Sequence, residues 1–503
     1  MKGLVSTAAS RAWLAVALVG FVLVVLVLAL SLIPRLGAGQ RVIDAARPAF
    51  TNERVAGTRA GVDLVSQYVD VADPLLTARG GASTEVRSLI RLMRRRMDLS
   101  STQARKILRR EAPHTEALTR ALPLAGIAGE IPRLTSYLAT TMSMPEEQLA
   151  ATLERSFPRI SQMLTALPNV ADGWYDVPGI EGLTRLKGDK PVRTVPGLRK
   201  YYRDDVVPLM VEHKRDFQEL AGSGGIGYIG PLLLVVGLAL LAYGLLQARR
   251  AVRSPPGRRQ WSVVMGVGAV IVLLVVLAQY FPRLGGGQEL ISDFEPVFAQ
   301  QRVNGAATGL DTLHEAVLFG DPIATPGGLA ASEAPRLYGF VADRTGRSSR
   351  AVRAALRRHV PQTVALLDAI PLTAVAGEVP RLVAYLTRAL RMPRAEVVAL
   401  LHRRTPGLAQ ALLTLPAVTA GWNAIPGTER MRRLDGFMAV RRMPAFDDYL
   451  RQDLAPVLVD KREDFDSLAN TWPPVDRLAP LLLAVGLLLL LYGRAMMRLV
   501  SRR

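Results

Sequence analysis

The chain of 503 residues contains no cysteine, which removes disulfides, thiolate nucleophiles and zinc–thiolate sites from consideration. An exported domain of this chain therefore rests on its apolar core. Histidine is scarce, with five residues and no His-Glu-x-x-His or similar ligand spacing, so neither a metal nor another cofactor is expected. Asp, Glu, Lys, Arg and His are missing from four long apolar runs, Trp13 to Ile33, Ile226 to Leu246, Trp261 to Tyr280 and Leu478 to Tyr492. Each is long enough to cross a bilayer. Charges inside spans usually mark ion or proton paths, so their absence argues against a coupled transporter made of these four helices alone. No strand-like alternation of useful length occurs either.

What is present sets an orientation. Lys2 and Arg11 precede the first run, five arginines fill the segment between the second and third, and Arg494, Arg498, Arg502 and Arg503 follow the fourth. Basic residues next to spans stay in the cytoplasm. The expected order is a cytoplasmic N-terminus (1–12), span (13–33), exterior helical domain (34–225), span (226–246), basic cytoplasmic loop (247–260), span (261–280), second exterior domain (281–477), span (478–493) and basic tail (494–503). Trp13, Tyr243, Trp261 and Tyr492 would form the inner aromatic belt, and Tyr228, Tyr280 and Trp472 the outer one. The formal charge of +20 is mostly topological. Removing the eleven cytoplasmic cations leaves 52 basic against 43 acidic residues, and nucleic acid is not expected as a partner.

Shifted by 248 residues, the chain lies on itself: IPRLGAGQRVIDAARPAF from Ile33 falls on FPRLGGGQELISDFEPVF from Phe281, and LPLAGIAGEIPRL from Leu122 on IPLTAVAGEVPRL from Ile370. Trp13 falls on Trp261, so the first run corresponds to an internal span and is expected to stay in the mature chain rather than be cleaved as a signal peptide. A second register of 45 residues runs inside each half. Copies start at Glu85, Glu130, Glu333 and Glu378 and end at Pro123, Pro168, Pro371 and Pro416. Apolar residues three and four apart, with proline at boundaries, predict a small helical module. Neighbouring copies are expected to interlock within each exterior domain. Long helices flank them, at about Gln40 to Val69, Gln288 to Leu318, Gly197 to Leu220 and Pro444 to Leu468. Between modules and exit helix lies a Gly- and Pro-rich stretch with room for a short hairpin.

Candidate contacts follow from the repeats. Glu130 with Arg133, and Glu378 with Arg381, sit in a Glu-x-Pro-Arg-Leu element. One reading is local: proline in the first turn, an acid near the positive helix end and an i,i+3 ion pair. The other is contact with a polar ligand or partner. Trp174 and Trp422 occupy matching Gly-Trp positions, either sealing a core or anchoring a partner. Asp205 and Asp453 read as satisfied polar contacts. The basic run Arg94, Arg95, Arg96, Arg105, Lys106, Arg109 and Arg110 is either a solvated helix face or a contact for anionic headgroups. Gly222 to Gly230 lacks the Lys-Ser/Thr of a phosphate loop and reads as a hinge at the membrane.

These features predict an all-α integral membrane protein of a bacterial plasma membrane, multi-pass, with an internal duplication and both termini cytoplasmic. No catalytic constellation emerges. The leading expectation is a non-enzymatic envelope scaffold or accessory subunit whose paired exterior domains bind a protein partner, with homo-oligomers open. The alternatives are a transport-associated protein holding a lipid or other apolar molecule in a pseudo-symmetric groove, and an exterior hydrolase or transferase.

Overall fold

The computed structural model describes residues 2–222, 225–253, 257–277 and 279–501. Among these the regular elements are all helical. Extended structure is confined to two isolated antiparallel bridges, Thr184 with Pro191 and Arg432 with Ala439. The chain divides into two compact units.

The first unit comprises Met1–Val55, Leu209–Val303 and Pro456–Arg503. Among its described residues it holds four helices long and apolar enough to cross a membrane, Ser10–Ala29, Ile226–Ala251, Arg258–Leu277 and Val475–Ser501. The first and third stop short of the expected 13–33 and 261–280. Ser31 and Gln279 adopt left-handed backbone, at φ 51° and 52°, and a new helix begins at Leu32 or Tyr280. Association in lipid depends on close packing of small residues, because tails are as apolar as leucine. Glycine supplies it. A Cβ on Gly244 would lie 2.6 Å from the Ala17 nitrogen, and one on Gly268 would lie 2.6 Å from both the Gly486 oxygen and the Leu490 nitrogen. Gly266, on the same helix as Gly268, faces open space. Gly268→Leu is therefore expected to lower the thermal midpoint in detergent by several degrees, through about 1–3 kcal/mol of overpacking, whereas Gly266→Leu leaves it within a degree. Equal effects would show that the close approach is unimportant.

The inner aromatic belt is corrected by the structure. Trp13 and Trp261 are fully buried and stacked on each other at 3.7 Å, with Tyr243 and Tyr492 edge-on. Each indole finds more apolar contact against its counterpart than an interface would give it. Tyr228 and Trp472 remain exposed.

The second unit comprises Ala56–Pro208 and Asn304–Ala455. The segments 34–225 and 281–477 thus do not fold as two separate domains. Their modules share one core, in which Leu118, Phe157 and Trp174 pack in the same cluster as Val364, Leu415 and Trp422. Tyr68 donates to the carbonyl of Ala316, 248 residues away. The expected pairing of modules within one half is replaced by pairing across halves. Helices Ala82–Met97 and Ser101–Glu111 pack with Leu372–Leu390 and Arg394–Arg404 around Met93, Leu108, Leu386 and Val397. In the same way Ala330–Thr345 and Ser349–His359 pack with Ile131–Met142 and Glu146–Ser156. Pro361–Ala369 and Leu372–Leu390 are long and apolar enough to cross a membrane only when taken together, but they meet at 76°.

The long flanking helices are interrupted. Leu32–Ala46 and Asn52–Leu76 replace the single helix from Gln40, with Pro48 in the break. The exit helices carry π-helical turns at Tyr201–Val206 and Tyr449–Leu454.

Candidate interaction surface

The four repeated glutamates cap helices, though not their own. Helices Pro113–Ala121, Pro158–Gly173, Pro361–Ala369 and Pro406–Trp422 each begin with proline after Ala112, Phe157, Val360 or Thr405, none of which caps the helix with its side chain. Their first free N–H groups need another acceptor. Glu130 accepts from the Gln362 and Thr363 nitrogens at 3.1 and 2.8 Å and from Thr363 Oγ1 at 2.9 Å. Glu378 does the same for His114 and Thr115, at 3.0 and 2.8 Å, and meets His114 Nδ1 at 2.8 Å. Glu333 accepts from Arg159 and Ile160, and Glu85 from Gly407 and Leu408. A carboxylate against a positive helix end is stabilising, more so when buried. Glu130 and Glu378 are only 6 % exposed, so their proposed contact with an external ligand is corrected: the ligand is the other half's backbone.

Arg133 and Arg381 are exposed. Among the described residues, neither forms the expected ion pair with its glutamate. Trp174 and Trp422 are completely buried and donate through Nε1 to Asp73 and Asp321, at 2.8 and 3.1 Å. They seal the core and are unavailable as anchors for a partner. Tyr175 also donates to Asp73, and burial pushes its hydroxyl up to about 12.

The Gly- and Pro-rich stretches form paired turns held from beneath. Arg185 meets Asp205 at 2.5 and 2.8 Å, and Arg433 meets Asp453 at 3.2 and 2.8 Å, each as a two-pronged guanidinium–carboxylate contact. The same aspartates accept from the Leu186 and Leu434 nitrogens. Met431 and Val440 are buried on either side of the second turn, and Gly436 takes a left-handed φ of 80° at its tip. Beyond it project Phe437 and Met438, 83 % and 52 % exposed. Exposed Arg430, Arg432, Arg441 and Arg442 surround their base. In the first turn the corresponding residues are Asp189 and Lys190. Sequence reasoning missed this pair, although the substitution of Asp-Lys by Phe-Met between otherwise matching turns was its signal.

The seven cations from Arg94 to Arg110 are all exposed, with Arg109 and Arg110 reaching Glu116 and Glu111 at 3.7 and 2.8 Å. The histidines do not converge. His114 meets Glu378, His213 bridges Asp216 and Asp293, His314 pairs with Asp447, and His359 stacks on Tyr137. Burial pushes the Asp447 carboxyl up despite the opposing pull of His314. Among the described residues no group of three or more His, Asp or Glu stands ready for a metal.

Comparison with protein-family models, with curated proteins and with solved structures finds no match.

Proposed function

We propose that the chain is a non-enzymatic bacterial cell-envelope scaffold or accessory subunit, anchored in the plasma membrane, whose helical unit binds a protein partner outside the cytoplasm. Its two halves derive from one duplicated sequence, and its basic segments at 247–260 and 494–503 lie in the cytoplasm. The observation that carries the reading is the Phe437–Met438 tip. Two adjacent large apolar side chains on a rigid, buried base, ringed by arginine, have the composition of a protein-interface centre, where aromatics, Met and Arg are enriched. A scattered surface leucine needs no such explanation, but an apolar tip on a built support does.

The lipid-groove alternative gains little support from the core of the helical unit, and the larger open recess of about 580 Å³ in the first unit has Gln40, Asp44 and Arg47 in its wall, unlike a site for an acyl chain. The cavity lined by Tyr68, Val71, Trp174, Phe319, Val418 and Trp422 has a volume of about 40 Å³. That is room for about one water molecule, far below an acyl chain.

Because the chain has no cysteine, a photo-crosslinker can be placed at one site only. Phe437→Cys and Asp189→Cys, labelled with benzophenone-maleimide in native membranes, occupy equivalent turns. Crosslinking to a defined protein is expected from position 437 and not from 189, and a Met438→Ser change in the labelled chain should reduce the yield several-fold. Equal yields from both positions, or none from 437, would refute the partner reading.

A further inference from the structure

Two groups of four helices occupy equivalent places in the helical unit, yet their charges differ. The first, Ala82–Met97, Ser101–Glu111, Leu372–Leu390 and Arg394–Arg404, carries fifteen exposed cations when Arg391 at the third helix end is included. Against them stand two exposed carboxylates, Asp98 and Glu396. The second group, Ile131–Met142, Glu146–Ser156, Ala330–Thr345 and Ser349–His359, carries nine exposed cations when Arg347 between its last two helices is included, against four exposed carboxylates. A generally basic composition would load both alike. Instead, the 94–110 run is joined by the cations of 381–404, brought from the other half of the chain by the crossed pairing of modules.

We propose that this lobe binds a linear phosphate-bearing polymer. Fourteen of its fifteen exposed cations are arginine, whose planar fork matches phosphate oxygens in pairs. Arg91 and Arg95, and Arg105 and Arg109, are four apart on their helices and form rows of charge on one face. A chain of phosphates laid across such rows gains from each neutralised charge and from the counterions it releases. A membrane surface is a poorer match. Helices that lie in a bilayer interface push large apolar side chains into it, whereas these four turn theirs into the shared core of Met93, Leu108, Leu386 and Val397. Among the described residues, no exposed large apolar side chain belongs to any of them. This inference uses a different surface from the Phe437–Met438 tip and stands apart from the partner reading.

The test uses the full chain in nanodiscs of zwitterionic lipid and fluorescein-labelled polyphosphate, read by anisotropy. Saturable binding is expected, weakening at least about tenfold between roughly 0.05 and 0.2 M salt. The triple variant Arg94→Gln, Arg95→Gln, Arg105→Gln should weaken it at least about fivefold, and the matched triple Arg336→Gln, Arg344→Gln, Arg350→Gln on the other group less than about twofold. Circular dichroism of both variants checks that each remains folded. Absence of saturable binding overturns the proposal, as do equal losses from the two triples. Flotation of the nanodiscs with phosphatidylglycerol vesicles, without polyphosphate binding, overturns it in favour of a membrane contact.

Discussion

The double variant Glu130→Ala, Glu378→Ala should unfold at a midpoint about 10 °C or more below the parent, followed by the fluorescence of the buried indoles Trp174 and Trp422. Each carboxylate accepts two backbone N–H groups and a threonine hydroxyl from the opposite half. Hydrogen bonds to a charged group contribute about 1.5–3 kcal/mol apiece, and the donors left behind are buried without an acceptor. Allowing for overlap between bonds, each site is worth about 3–5 kcal/mol, and a unit of this size loses roughly 2 °C per kcal/mol. Glutamine keeps the shape but surrenders the charge and one acceptor, so Glu130→Gln should fall between parent and alanine. That graded order separates capping from simple cavity formation. A midpoint within about 1 °C of the parent for the alanine pair would refute the role.

The second large effect concerns the support of the apolar tip. Asp453→Ala takes the carboxylate from the Arg433 guanidinium, whose side chain is only 10 % exposed and keeps the neutral Gln452 oxygen at 2.9 Å. Breaking a buried pair from one side typically costs about 3–5 kcal/mol, because an uncompensated charge remains, whereas replacing both partners by apolar groups is often neutral. Asp453→Ala is accordingly expected to expose the 425–442 turn, with trypsin cutting after Arg430, Arg432 or Arg441 at least tenfold faster than in the parent. Arg433→Met with Asp453→Leu should restore most of the protection. If the single variant resists trypsin like the parent, the pair does not hold the turn.

How much of this was legible in the sequence depends on how far each feature reaches along the chain. The four long apolar helices were visible because hydropathy averages over neighbouring residues, and the ends of the first and third were misplaced because Ser31 and Gln279 take left-handed backbone. The acid at Glu130 was rightly associated with a helix start, but with the wrong helix. Glu130 already has helical backbone, at φ −88° and ψ −20°, and its side chain is free to serve a start 232 residues away. The clue lay at the other end: Ala112, Phe157 and Val360 precede proline-initiated helices and have no side-chain oxygen to cap them. Trp174 and Trp422 showed their repeated register but not their burial beside Asp73 and Asp321, which lie 101 residues earlier in the chain. The crossed pairing of modules was beyond reach, since a module's apolar face looks the same whichever copy covers it.

Capping across the halves has a consequence for how the chain is made. The partners are separated by 173 to 323 residues in sequence, so they cannot meet until much of the second half has left the ribosome. At 5–20 residues per second, the first half waits roughly ten to fifty seconds with bare helix starts and an uncovered apolar face. During that interval it is the species most exposed to proteases and aggregation. A chain truncated after the helix Ile226–Ala251 would be caught in that state, because every cap across the halves needs a residue beyond it.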